Sequence, residues 1–209
     1  MNQKNKTIAE ALREGKLLLK AAGKEAYAFE AELLLEKAAG LNRTALFLRG
    51  EESLSDEVLA VYEGYLSERE QGRPTQYILG EWEFMGLPFH VGEGVLIPRG
   101  DTEVLVETIL EKQQTEGFKS ILDIGTGSGC IPISLGHYGK FEKIMAVDIS
   151  PKALGYATKN AIENKQIHLE LPSEYNDIFD SSFRFSCYYI YFIYIIFFCR
   201  YINYFFCYK

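Results

Sequence analysis

The sequence predicts an α/β chain: an N-terminal helical bundle and a β-hairpin linker, followed by an incomplete parallel α/β domain. Three observations predict it. Apolar residues recur at helical spacing from Thr7 to about Ser67, a glycine-punctuated stretch around Gly80, Gly86 and Gly92 alternates instead, and from Ser120 short apolar runs lead through turns into helices. With 209 residues the chain has room for a small helical domain and one α/β domain.

In the first region Ile8 and Leu12, Leu17 to Leu19, Phe29 and Leu33 to Leu35, and Leu54, Val58 and Tyr62 mark successive helices, with breaks at Gly23, at Gly40 with Asn42, and at Gly50. Helices this short are marginal alone in water, so they must pack on one another. Ser55 before Asp56 and Glu57 suits an N-cap with acids in the first turn, where the helix dipole favours them. Residues 1–75 are this bundle, and nothing in it looks catalytic. Residues 76–117 follow as a hairpin, carried by QYILGEWEFMGLPFHVGEGVLIPRG, and a linker helix. Asp101 or Thr102 caps that helix, which runs through Val104, Leu105, Ile109 and Leu110 and ends near Gly117.

Residues 118–171 carry the α/β part. Ser120 to Ile124 reads as a strand, Gly125 to Gly129 as a glycine loop, and Cys130 to about Tyr138 as a helix. Lys143 to Val147 is a second strand ending at Asp148, Pro151 to about Asn164 a second helix, and Ile167 to Leu171 a possible third strand. Strands alternating with helices at this interval imply a parallel sheet with right-handed crossovers. Only two full repeats are present, where a doubly wound, Rossmann-like domain needs about five strands.

Composition narrows the function. Lys plus Arg number 22 against 29 Asp plus Glu, a net charge of −7 with no basic block. Direct DNA binding is not expected, because tracking a duplex needs a positive face to displace counterions. The N-terminus MNQKNKTIAEALREGKLLLK lacks the apolar core of a secretory signal, so a cytoplasmic location is expected. Cys130, Cys187, Cys199 and Cys207 offer neither a close metal-ligand pair nor a disulfide scaffold, and no metal site is expected.

The chemistry concentrates in ILDIGTGSGC. Gly125, Gly127 and Gly129 stand after a strand and before a helix, where the backbone must turn sharply and lie flat against a ligand. Asp148, at the end of the next strand, stands where a nucleotide-binding α/β unit places a carboxylate for the ribose hydroxyls. Gly-x-Gly-x-Gly with Asp123 ahead suits S-adenosylmethionine. The dinucleotide spacing Gly-x-Gly-x-x-Gly would need glycine where Cys130 stands. Gly125, Thr126, Gly127, Ser128, Gly129 and Asp148 are therefore the candidate cofactor-binding residues.

Upstream, SEREQGRPTQYILGEWEFMGLPFHVGEGVLIPRGDTEVLVE resembles the linker and hairpin of the glutamine methyltransferases that modify peptide chain release factors, and ILDIGTGSGCIPISL and MAVDISPKAL follow at that family's spacing. The resemblance runs to about Leu171 and departs at Gly100, where the family has proline after Ile97, Pro98 and Arg99. It implies a class I methyltransferase domain that binds S-adenosylmethionine, helices that help dock the release factor, and methylation of the glutamine amide in the release factor's Gly-Gly-Gln motif. For Arg99, Thr102 and Glu103 a plain turn and helix start is an equal alternative. An amide nitrogen is a poor nucleophile, so catalysis would rest on positioning and on acceptors for its N–H groups. In the family these belong to an Asn-Pro-Pro-Tyr motif.

That motif does not occur: Pro74, Pro88, Pro98, Pro132, Pro151 and Pro172 are the six prolines and no two adjoin. No catalytic residue is assigned, and the chain is expected to be a truncated or frameshifted, inactive member. Residues 172–209 form an aberrant aromatic and apolar tail, with half of the 14 Tyr and half of the 14 Phe lying after Ser181. A transmembrane helix is one reading, set against Arg200, Asn203 and the many tyrosines within the span. A buried strand pair is a second. The preferred reading is A/T-rich codons translated out of frame. Two functional alternatives stand: a related methyltransferase acting on a ribosomal-protein glutamine or an adenine amino group, and a non-catalytic binding module anchored by its tail.

Overall fold

Side chains placed to take up free backbone N–H groups start three of the first four helices. Thr7 accepts from Glu10 and Glu10 reaches back to Thr7 in a capping box that opens α1 (Ile8–Ala21). α2 (Tyr27–Ala39) has no side-chain cap but ends on Gly40 in the left-handed conformation. Asn42 caps α3 (Arg43–Leu48), and Ser55 caps α4 (Asp56–Glu70) by accepting from Val58, as the sequence predicts.

The structure, a computed structural model, describes residues 6–166 and 169–171. It forms two units that divide between Arg99 and Gly100. The tail from residue 172, with every reading of it given above, lies outside the described residues. Among those described, no helix is long and apolar enough to cross a membrane.

In the first unit Leu19, Ala31, Leu34, Leu35 and Tyr62 are buried in one core. Tyr62 reaches it because α1 carries Gly15, where a Cβ would lie 2.0 Å from the tyrosine oxygen. The Tyr62 hydroxyl donates to the Ala31 carbonyl at 3.2 Å. Arg69 on α4 holds Glu30 on α2 with two parallel bonds of 3.0 Å, both side chains largely buried.

The sequence reads Gln76 to Leu79 as the start of the hairpin, but Thr75–Leu79 is a helix, α5. Pro74 precedes it and supplies no side-chain cap, so the local signal is weak and packing on α2 and α4 decides the conformation. The hairpin begins after Gly80, pairing β1 (Glu81–Phe84) with β2 (Leu87–His90) antiparallel. Its two-residue turn sets Met85 at φ 53° and Gly86 at φ 71°, the positive pair that a type I′ turn requires. Phe84 and Phe89 meet edge to face at 6.0 Å and are fully buried.

In the second unit α6 (Gly100–Glu116) begins at Gly100, so Asp101 and Thr102 lie in its first turn and neither is its cap. β3 (Ser120–Ile124), α7 (Cys130–Tyr138), β4 (Lys143–Val147) and α8 (Pro151–Glu163) follow, with β5 (Leu169–Glu170) last. The sheet is parallel in the order β3-β4-β5, with Asp123 opposite Ala146 and Ile124 opposite Val147. This register brings the loop after β3 and the residue after β4 to the same end of the sheet. Ligands of open α/β sheets bind at that end.

Candidate functional site

The glycine loop is fastened to the end of β4. Gly125 and Thr126 both donate their N–H groups to the Val147 carbonyl, at 2.8 and 3.0 Å, and Gly127 donates to Asp148 Oδ2 at 2.8 Å. Asp148 Oδ1 accepts from Ser150 at 2.9 Å, and Ser150 in turn caps α8 through Ala153. All six candidate residues therefore meet in one place. Each oxygen of a carboxylate can accept two hydrogen bonds, so Asp148 keeps acceptor capacity on both.

The three glycines differ in what they do. All have positive φ, 81° at Gly125, 58° at Gly127 and 79° at Gly129. A Cβ at Gly127 would meet nothing within 4 Å, so this backbone is open to a ligand. A Cβ at Gly129 would press on Ile133 at 2.9 Å and on Ala157 at 3.1 Å. Gly129 thus lets α7 and α8 approach closely, a packing duty that sequence spacing does not distinguish from ligand contact.

Two further residues escape the sequence reading. Asn160 on α8 is completely buried and its amide donates to the Ser128 carbonyl at 2.8 Å, tying the loop from behind. Ile149, directly after Asp148, is 91% exposed. An isoleucine in water beside a carboxylate offers an apolar platform next to a polar anchor. The readable signal was an apolar residue between an acidic strand end and a Ser-Pro helix start.

Beneath the loop lies a buried polar cluster. Asp123, Thr126 and Ser128 are no more than 6% exposed, and among the described residues Asp123 Oδ2, Thr126 Oγ1 and Ser128 Oγ have no partner in good hydrogen-bond geometry. Burial pushes the Asp123 carboxyl up to about 6, with the charge of Asp148 adding and the nearby Thr126 hydroxyl opposing. Burial likewise pushes the Cys130 thiol up to about 12, which makes it an inert structural cysteine.

Family comparisons bear on both units. The model of the PrmC N-terminal domain matches residues 10–80, and that of the ribosomal protein L11 methyltransferase, PrmA, matches residues 101–181. The release factor glutamine methyltransferase of Moorella thermoacetica is 44% identical over 155 residues, 74% of this chain and 55% of that protein. The chain is similar to the release factor glutamine methyltransferases. A second such methyltransferase, from Clostridium acetobutylicum, is 36% identical over 83% of this chain and 64% of its own length. The chain thus spans between about half and two thirds of these two methyltransferases. The N-terminal domain of human METTL16 aligns with a TM-score of 0.35 and 23% identity over 59% of this chain and 46% of that one, too weak a likeness to inform the site.

The residues present fit S-adenosylmethionine. The open face at Gly127, the spare acceptor capacity of Asp148, the exposed Ile149 and the buried carboxyl of Asp123 suit a ligand with a ribose, an apolar ring and a cationic end.

Proposed function

We propose that this chain carries the docking helices and the cofactor half of an S-adenosylmethionine-dependent enzyme that methylates the glutamine amide in the Gly-Gly-Gln motif of release factors. The observation that carries the reading is the Gly127 to Asp148 hydrogen bond. It sets an open glycine backbone and a carboxylate side by side at the ligand end of a parallel sheet. Bound S-adenosylmethionine would supply an electrophilic methyl group. The chain's own residues would do the holding: Asp148 accepts from the ribose, Ile149 lies along the adenine, and Gly125, Thr126, Gly127, Ser128 and Gly129 shape the floor beneath the remainder.

The match of residues 10–80 to the PrmC N-terminal domain favours a release factor as the docking partner. The match of residues 101–181 to the ribosomal protein L11 methyltransferase supports the rival partner, a ribosomal protein. Cytoplasmic action follows from either. No Asn-Pro-Pro-Tyr occurs among the 209 residues, so this chain by itself is expected to bind without transferring methyl.

The test is direct. Purified 209-residue chain is titrated with unmodified release factor and with ribosomal protein L11, then incubated with each and labelled S-adenosylmethionine. The reading expects binding to the release factor and no label transfer. Preference for L11 would overturn the choice of partner, and stoichiometric labelling would overturn the inactivity.

A further inference from the structure

α8 meets the glycine loop from beneath at two places. A Cβ on Gly129 would lie 3.1 Å from that of Ala157, and three residues further along the helix Asn160 donates its side-chain amide to the Ser128 carbonyl at 2.8 Å. Asn160 shares the buried face of α8 with Ala153, Ala157 and Ala161 and is completely buried. An amide placed there gives up its water, a cost that an apolar side chain of similar shape avoids. Packing alone therefore does not account for an asparagine at this position.

The bond acts on one peptide plane. The peptide between Ser128 and Gly129 turns its carbonyl to Asn160 and its N–H to the Thr126 carbonyl, the latter at 2.9 Å, so both ends of the plane are held. Such a hold matters most beside a glycine. Turning the plane over would carry Gly129 from its φ of 79° to a negative φ, and glycine accepts either sign. The donor is itself fixed, because the Asn160 backbone carbonyl accepts from the Asn164 N–H at 2.9 Å and from the Asn164 side-chain amide at 3.0 Å. At its other end α8 begins after Ser150, whose N–H holds Asp148 Oδ1 at 2.9 Å. One helix thus sets the glycine loop and the Asp148 carboxylate relative to each other.

We propose that Asn160 is a positioning residue for cofactor binding, which holds the Ser128 carbonyl toward α8 and so keeps the loop in the one form that presents its open backbone to S-adenosylmethionine. This rests on the cofactor reading above and deepens it. Asn160 lies behind the loop and acts through Ser128. Without its amide the turned peptide competes, and affinity falls with the fraction of chains left in the competent form. Loss of one neutral hydrogen bond lowers affinity on this basis by about threefold to tenfold.

Calorimetric titration with S-adenosylmethionine at pH 7.5 compares the 209-residue chain with Asn160→Leu, which keeps the branching of the side chain and removes the donor. Amide exchange followed by nuclear magnetic resonance reads Gly129 separately from β4 and α8. The variant should bind about threefold to tenfold more weakly and exchange the Gly129 N–H faster, while protection in β4 and α8 stays within about twofold. A merely structural role would move affinity only together with that protection. Unchanged affinity in the variant, or a loss matched by equal loss of protection across β4 and α8, overturns the proposal and leaves the cofactor reading standing. Failure of the unsubstituted chain to bind S-adenosylmethionine overturns both. Should Asn160→Leu not fold, Asn160→Ala is measured in the same way. Should neither fold, the unsubstituted chain decides: its Gly129 N–H should be protected before ligand is added, and free exchange until S-adenosylmethionine arrives would overturn the proposal.

Discussion

Alanine at Gly129 and at Gly127 should separate packing from ligand contact within one loop. Both residues have positive φ, where an L side chain costs about 1–2 kcal/mol. At Gly127 that is the whole cost, because a Cβ there would meet nothing within 4 Å. At Gly129 the Cβ also presses on Ile133 Cδ1 at 2.9 Å and Ala157 Cβ at 3.1 Å, and overpacking of this kind adds about 1–3 kcal/mol. Taking the lower half of each range gives about 1 kcal/mol for Gly127→Ala and about 3 for Gly129→Ala. Hydrogen exchange read by mass spectrometry over β3, α7 and β4 converts these into opening rates, about fivefold faster for the first and about a hundredfold for the second, since 1.4 kcal/mol is a factor of ten. Trp82, the single tryptophan, lies in the first unit and should report no change in either variant. Binding of S-adenosylmethionine should show the reverse balance, with Gly127→Ala losing affinity at a stability close to that of the unsubstituted chain. Equal exchange rates in the two variants, or full binding by Gly127→Ala, would refute the division of labour.

Tyr62→Phe should cost the first unit about 0.5–1 kcal/mol in urea denaturation followed through Trp82, the low side of a hydrogen bond's worth, because the Ala31 carbonyl is already within a helix. Burial raises the Tyr62 pKa above its ordinary 10.0, so the neutral phenol is favoured in the fold; stability is full below that value and declines as pH rises beyond it. For Asp123 the raised value means that folding itself prefers the proton, so the second unit's stability should fall between pH 3.8 and about 6 and then level off. Asp123→Asn should flatten that slope and stabilise the unit at neutral pH by on the order of 2–3 kcal/mol, read by hydrogen exchange at both ends of the interval. Met85→Gly should stabilise the hairpin by about 1 kcal/mol by relieving the positive φ at the turn, measured as a higher urea midpoint.

The second unit was legible to a degree that the first was not. β3, α7 and β4 begin and end where the sequence places them, because glycines and a Ser-Pro pair punctuate apolar runs that have no other use. α5 was missed: QYIL alternates as a strand would, Pro74 gives no cap, and only packing on neighbouring helices makes it helical. The start of α6 at Gly100 was hidden because Asp101 and Thr102 resemble caps but lie one and two residues inside. In the site, residue types and spacing located the loop and Asp148 but could not divide three glycines between ligand and packing. The burial of Asp123 and the hold of Asn160 on Ser128 depend on what α7 and α8 cover, which is tertiary information.

The proposed function requires a glycine loop and an Asp148 that hold S-adenosylmethionine rather than a dinucleotide. Calorimetric titration of the 209-residue chain at pH 7.5 with S-adenosylmethionine and with NAD tests it most directly, using Asp148→Ala as the comparison. The account predicts one site for S-adenosylmethionine, displaceable by S-adenosylhomocysteine, no heat with NAD, and affinity lower by about tenfold or more in the variant, as expected when charge-assisted bonds worth about 1.5–3 kcal/mol are lost. Binding of NAD in place of S-adenosylmethionine, or an Asp148→Ala variant that binds as tightly as the unsubstituted chain, would contradict it.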